Sequence, residues 1–150
     1  MAERRPLSAS LEDYLETIYL IVQDKQAARA KDIVERLGVH KSSVTQALRS
    51  LAEKGLVNYA PYDLVTLTDE GRAAALDVVQ RHRSLRAFLE EVLGLAPEHA
   101  EADACRLEHD LSPEVARRLR LYMTYHREHP GRGIRWDPDG GGFGTAEGTS

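Results

Sequence analysis

The sequence has little of what would build an extracellular or a membrane protein. Of its 150 residues, one is Cys, one is Trp and two are Phe. A single cysteine excludes an intramolecular disulfide, which agrees with a reducing compartment. No apolar run approaches the roughly 18 residues that a membrane-spanning helix needs, and the N-terminal MAERRPLSAS has no apolar core for export. We therefore expect a cytoplasmic protein that does not associate with membranes.

Charge is small in total but unevenly distributed. The net charge is −4, which by itself argues mildly against nucleic acid. Residues 25–54, however, carry seven Lys and Arg against three Asp and Glu, a local charge of +4, so the rest of the chain carries −8. A basic segment suits contact with phosphate groups, and an acidic one suits contact with cations.

Hydrophobic periodicity predicts a mainly α-helical chain. Apolar residues recur at helical spacing in six segments. These segments are 11–24, 29–38, 39–55, 68–94, 97–111 and 112–126. Between the third and the fourth, the β-branched runs VNYA and LVTLT predict a short hairpin around PYD, residues 61–63. From residue 129 onward, Gly, Pro and small polar residues predict a mostly disordered, flexible tail.

Three helices followed by a hairpin is the order of a winged helix-turn-helix. In the third helix Val44, Ala47, Leu48 and Leu51 have packing spacing, which leaves a polar and basic face outside. Gln46 could pair with an adenine edge, whereas Lys41 and Arg49 suit phosphates. The predicted DNA-binding residues are Lys41, Ser42, Ser43, Thr45, Gln46 and Arg49.

An ordinary core helix with a polar outer face would show the same pattern as this third helix. The tight turn before it, the hairpin behind it and the local charge of +4 favour DNA binding. The wing, around Tyr59–Asp63, would then lie along the adjacent DNA backbone.

Three potential metal ligands are crowded together at the end of the fifth predicted helix. Cys105, Glu108 and His109 fall within roughly 100° of arc on one helix. Asp13 and Glu16 share a face of the first helix at i, i+3 spacing, and His82 lies on the long fourth helix. Nitrogen, sulfur and carboxylate donors suit a first-row divalent ion, with oxygen favouring Mn(II) or Fe(II) and the thiolate favouring softer ions.

Each of these residues also has a plainer interpretation. His82 could be a histidine at the edge of the core, and Cys105 a small buried apolar residue. Asp13 and Glu16 could be a solvated acidic stripe near the beginning of a helix. The unit Cys-x-x-Glu-His is harder to explain in this way.

Five stretches carry a family resemblance over roughly residues 10–120. They are LEDYLETIY, LGVHKSSVTQALRSLAEKGLV, PYDLVTLTDEG, QRHRSLRAFL and DACRLEHDLSPEVARRL, in this order. Together they resemble the short, two-domain members of the iron- and manganese-dependent repressor family, which includes the diphtheria toxin repressor and the manganese transport regulators.

The resemblance implies a metal-activated, homodimeric repressor of metal-uptake genes that binds a palindromic double-stranded DNA operator. It implies a winged helix-turn-helix domain over 1–70, a helical dimerisation and metal-binding domain over 71–128, and a tail over 129–150. The implied metal is Mn(II) or Fe(II), with Co(II) and Zn(II) as further candidates in vitro. The implied ligands are Asp13, Glu16, His82, Cys105, Glu108 and His109.

The implied ligand set mixes two types of family member. Cys105 stands where manganese-type proteins have Glu, as in iron-type proteins, whereas Asp13 stands where iron-type proteins have Met. Two further iron-type ligand positions hold Arg86 and Glu101. Both Mn(II) and Fe(II) therefore stay candidates for the bound metal.

The sequence also allows two alternative functions and predicts a dimer surface. A winged-helix regulator could respond to a small organic ligand instead of metal, and an enzyme could use Cys105 as nucleophile and His109 as base. The enzyme lacks an orienting third group nearby. A dimer surface is expected on the helices 68–94 and 97–126, although the same apolar residues could simply form a second core. They are Leu85, Phe88, Leu89, Val92 and Leu93.

Overall fold

The computed structural model describes residues 7–60 and 64–145 and is mainly α-helical, as predicted. The chain divides into two compact units, Met1–Val79 and Gln80–Ser150. None of the described helices is both long and apolar enough to cross a membrane. The elements are α1 (Ala9–Lys25), α2 (Ala30–Leu37), α3 (Lys41–Glu53), β1 (Val57–Asn58), β2 (Thr66–Leu67), α4 (Asp69–Ala87), α5 (Pro97–Leu107), α6 (Pro113–Glu128), β3 (Ile134–Asp137) and β4 (Gly142–Thr145).

Local signals set the helix ends in the N-terminal unit. Ser8 caps α1, because its Oγ accepts a hydrogen bond from the backbone N–H of Leu11 at 3.2 Å. Gly38 ends α2 in the left-handed conformation, with φ at 65°. Only residues 38–40 separate α2 from α3. The predicted tight turn between the second and third helices is therefore confirmed.

A small antiparallel sheet closes the N-terminal unit after α3. β1 pairs with β2, and Val65 pairs with Ala28 ahead of α2 through two backbone hydrogen bonds of 3.0 and 2.7 Å. The tip of the predicted wing, residues 61–63, lies outside the described residues. The unit's core is apolar, and its fully buried side chains include Leu15, Ile18, Ile33, Val44, Leu48, Leu51 and Val65.

The C-terminal unit departs twice from regular α-helix. After α4 the chain forms one π-helical turn, Phe88–Val92, which ends before Gly94 with φ at 70°. After α5 it forms a 3₁₀ turn, Glu108–Asp110. Ser112 then caps α6 by accepting a hydrogen bond from the N–H of Val115 at 3.2 Å.

The residues expected at a dimer surface are mostly used inside this unit. Leu85, Leu89 and Val92 are buried in its core, and Phe88 and Leu93 pack against it. Within the single chain these side chains therefore form a second core, and the position of the dimer surface stays a prediction. Other apolar side chains of the unit are exposed, namely Leu107, Val115, Leu121, Tyr125, Ile134, Trp136 and Phe143.

The predicted disorder beyond residue 129 is wrong for residues 134–145. β3 and β4 form an antiparallel hairpin in which Trp136 faces Phe143 across the strands. Trp136 packs closely on Gly94, because a Cβ added at Gly94 would lie 2.9 Å from the Cβ of Trp136. Glycine was therefore a signal of turns and close approach here, not of disorder.

Candidate metal centre and nucleic-acid interface

His82 lies at the centre of a cluster of potential ligands in the C-terminal unit. It projects from α4, and both of its ring nitrogens contact carboxylates. Nδ1 lies 2.7 Å from Oε2 of Glu108, and Nε2 lies 3.1 Å from Oε2 of Glu101. His82 thus bridges α5 and the 3₁₀ turn that follows it.

Cys105 lies beside the same histidine, one turn after Glu101 on α5. Its Sγ is 3.9 Å from Nδ1 of His82 and 3.7 Å from Oε1 of Glu101. One ligand atom from each of His82, Glu101 and Cys105 lies within 4.8 Å of the others. Nitrogen, oxygen and sulfur donors therefore converge, which suits a first-row divalent cation.

Glu108 and His109 follow in the 3₁₀ turn and not on the helix, where the sequence predicted them. α5 ends at Leu107, and the 3₁₀ turn places Glu108 against His82, which Cys105 and Glu101 also contact. The side chain of Glu108 is only 1% exposed, and its Oε1 lies 3.4 Å from Nε2 of His109. The Arg81 guanidinium donates to the backbone carbonyl of Glu108 at 2.7 Å, which fixes the turn.

The electrostatics of this cluster favour a positive charge at its centre. The hydrogen bond to Glu108, reinforced by the charges of Glu108 and Glu101, raises the pKa of His82 to about 9 although burial opposes this. At neutral pH His82 therefore holds two carboxylates together as an imidazolium. A divalent ion offers them the same attraction, and the donors fit it once the proton leaves His82.

Asp13 and Glu16 belong to the N-terminal unit. Both lie on α1, at i, i+3 spacing as expected, with Asp13 exposed and Glu16 half-buried. The structure thus brings four of the six predicted ligands together in the C-terminal unit: His82, Cys105, Glu108 and His109.

Glu101 is a member of this cluster that the predicted ligand set left out. Residues 101, 105 and 108 follow i, i+4, i+7 spacing, which was a usable signal. Glu101 also pairs with Arg86 across α4 and α5, at 3.0 Å between Oε2 and Nη1. The spacing could not show that pair, because it depends on how the two helices pack.

The predicted DNA-contacting residues begin α3. Lys41, Ser42 and Ser43 form its exposed first turn, and Gln46 and Arg49 are exposed on the next turns. Thr45 is half-buried, and its hydroxyl donates to the carbonyl oxygen of Lys41 at 3.1 Å. The opposite stripe, with Val44, Ala47, Leu48 and Leu51, is buried in the core. This helix therefore presents one polar, partly basic face to solvent, which is what a major-groove reading helix requires.

Two family models match the chain in sequence order. Residues 6–65 match the N-terminal DNA binding domain of the iron dependent repressor family. Residues 68–137 match its metal binding and dimerisation domain. The second match includes β3, in agreement with the ordered hairpin.

Curated relatives are similar over most of their length. An uncharacterized HTH-type transcriptional regulator of Methanocaldococcus jannaschii is 38% identical over 123 residues, which are 81% of this chain and 98% of the relative. The transcriptional regulator MntR of Escherichia coli is 38% identical over 125 residues, which are 83% of this chain and 78% of the relative. These relatives are transcriptional regulators, so the enzyme interpretation of Cys105 and His109 is not supported.

Solved structures share the fold. A manganese-dependent transcriptional repressor in complex with manganese is 35% identical, with a TM-score of 0.68, and the match covers 93% of this chain and 60% of that one. The IdeR protein of T. acidophilum is 25% identical, with a TM-score of 0.66, and the match covers 81% and 56%. This chain therefore spans less than two thirds of the length of these two solved chains. With both domain models matched, it belongs to the iron-dependent repressor family of metal-dependent, DNA-binding transcriptional regulators.

Proposed function

We propose that this regulator is a homodimeric repressor activated by Mn(II) or Fe(II), which binds a palindromic operator and controls metal-uptake genes. The contact of His82 with Glu108 at 2.7 Å, with Cys105 alongside at 3.9 Å, is the observation that carries the metal assignment. A buried carboxylate and an imidazole at this distance from a thiol form a site that attracts a cation.

The proposed ligands from the C-terminal unit are His82, Cys105, Glu108 and His109. Asp13 and Glu16 are added to them on the family resemblance. α1 packs against α3 within the N-terminal unit. Ligation by Asp13 and Glu16 would therefore act on an element next to the proposed reading helix. When bound, the divalent ion supplies the positive charge that holds these carboxylates in one arrangement.

The donor set supports both proposed metals. Carboxylates favour Mn(II) and Fe(II), and the similar manganese-dependent transcriptional repressor that was solved with manganese supports Mn(II). The Cys105 sulfur favours softer ions, so Zn(II) and Co(II) are expected to bind in vitro as well.

The proposed DNA contacts come from the exposed face at the beginning of α3. Gln46 is assigned to a base edge, and Lys41 and Arg49 to phosphates, with Ser42, Ser43 and Thr45 contacting either. In a symmetric dimer two such helices, spaced about one DNA turn apart, would read the two halves of a palindrome. Exposed apolar side chains on α6, Val115, Leu121 and Tyr125, support pairing of two copies.

His109→Ala tests the metal assignment. A DNA duplex is selected from a random pool with the wild type and Mn(II), and binding is followed by fluorescence anisotropy while Mn(II) is titrated. We expect the variant to need at least about tenfold more Mn(II), because a nitrogen ligand is lost. His99→Ala, at an exposed histidine of α5, is the matched control and should respond like the wild type.

Two results would contradict the proposal. An unchanged Mn(II) requirement in His109→Ala would remove His109 from the ligand set. Equal DNA binding by the wild type with and without divalent ions would end metal activation and favour the regulator of a small organic ligand.

A further inference from the structure

Arg86 places a permanent positive charge beside the ligand cluster. It lies one helical turn after His82 on α4. Its Nη1 is 3.0 Å from Oε2 of Glu101, and its Nε donates to Oε2 of Glu90 at 3.2 Å. The second contact, with the π-helical turn that follows α4, anchors the guanidinium beside Glu101.

The Glu101 carboxylate is fully engaged by side chains of the same unit. Its Oε2 contacts both Nη1 of Arg86 and Nε2 of His82, at 3.0 and 3.1 Å. Its Oε1 accepts from Sγ of Cys105 at 3.7 Å. Of these three donors, only the guanidinium is positively charged at every ordinary pH, because Arg stays protonated.

We propose that Arg86 is a specificity-determining residue that keeps a divalent ion out of the group formed by His82, Glu101 and Cys105. This inference rests on the proposed function, in which His82 and Cys105 serve a metal site together with Glu108 and His109. A divalent ion bound to Oε2 of Glu101 would lie within a few ångströms of the guanidinium. Because Arg86 already neutralises the Glu101 carboxylate, the pair offers an ion there little net attraction, and the guanidinium repels it.

The structure also gives the reason why such a residue is needed. The ligand atoms of His82, Glu101 and Cys105 already lie within 4.8 Å of one another, close enough to hold an ion by themselves. An ion there would be a second one beside the proposed site, because Nε2 of His82 faces Glu101 whereas Nδ1 faces Glu108. By pairing with Glu101, Arg86 confines metal binding to the proposed site.

Stability alone does not explain the pair. The side chains of Arg86 and Glu101 are 43% and 44% exposed, and ion pairs in that environment contribute little to folding. The Arg86→Met variant should therefore fold. The number of ions that it binds then reports on the role of the Arg86 charge.

Ion counting by equilibrium dialysis against Mn(II), with atomic absorption, tests the inference on the full chain. We expect Arg86→Met to bind about one Mn(II) more per subunit than the wild type, because Glu101 loses its resident cation. Arg86→Lys keeps the charge and should match the wild type, and adding Glu101→Gln to Arg86→Met should remove the extra ion. Arg127→Met is the matched control, since Arg127 pairs with Glu91 in the same unit at 3.1 Å.

The outcomes separate this inference from the proposed function. If Arg86→Met binds as many ions as the wild type, or if Arg86→Lys also gains one, the inference is overturned while the metal site stands. If the wild type binds neither Mn(II) nor, in the same dialysis, Fe(II), the proposed function fails and the inference fails with it. Circular dichroism of each variant verifies that the comparison is between folded proteins.

Discussion

Nδ1 of His82 and Oε2 of Glu108 lie 2.7 Å apart, and the carboxylate is almost completely buried. An ionised carboxylate in such surroundings is unfavourable without a partner of opposite charge. The imidazolium is that partner in the metal-free protein. Protonation of His82, which stabilises the folded protein, therefore competes with metal binding for the same pair of side chains.

The stability of the metal-free protein should fall as pH rises from neutral to alkaline. The folded pKa of His82, about 9, lies above its usual value of 6.5, so its contribution is complete below pH 6.5 and is lost as pH rises through 9. The shift corresponds to a contribution on the order of 3 kcal/mol. Urea unfolding of chelator-treated protein at a series of pH values measures it.

His82→Gln is the control for this pH effect. The glutamine can donate a hydrogen bond but cannot take up a proton, so the free energy of unfolding should depend less on pH between 6.5 and 9. Equal slopes in the wild type and the variant would mean that the contact with Glu108 does not couple protonation to folding.

Replacing Cys105 by Glu should move metal preference toward Mn(II). A carboxylate replaces the sulfur donor that lies 3.9 Å from His82, and hard oxygen ligands suit Mn(II) better than the softer Cd(II). We expect the ratio of Mn(II) to Cd(II) affinity to rise about tenfold or more. Competition with a chromophoric chelator measures both affinities. Cys105→Ser removes the sulfur without adding a charge, and a ratio that stays the same in both variants would count against ligation by the thiol.

Gln46→Ala and Lys41→Ala should weaken DNA binding in different ways. Gln46 is proposed to read a base, so its loss should cost about 1–3 kcal/mol on the selected duplex and relax specificity at one position. Lys41 is proposed to contact phosphate, so its loss should weaken binding to all sequences and lower the salt slope by about one. Anisotropy titrations at several salt concentrations separate the two. Identical salt slopes and specificity profiles in both variants would refute the assigned roles.

Sequence spacing predicted the helices because their apolar stripes are local and periodic. The stripe of Val44 and Leu48 is an example: it is buried as predicted, and it turns Gln46 outward. The pairing of Arg86 with Glu101 could not be predicted in this way, because it joins two helices whose packing no local pattern encodes. The hairpin of Trp136 and Phe143 could not be predicted for a similar reason. By composition alone its glycines indicate disorder, whereas the hairpin depends on contacts with residues that are distant in the sequence.

Gly94→Ala should release the hairpin from the C-terminal unit. Gly94 has φ at 70°, which costs an L residue about 1–2 kcal/mol, and a Cβ there would lie 2.9 Å from Trp136. Trp136 is the single tryptophan of the chain, so its emission reports on the hairpin directly. We expect a red shift in Gly94→Ala, because the indole becomes more exposed to water.

Gly142→Ala is the matched control within β4, since nothing lies within 4 Å of its added Cβ. A wild-type emission maximum in Gly94→Ala would show that Trp136 does not depend on this contact.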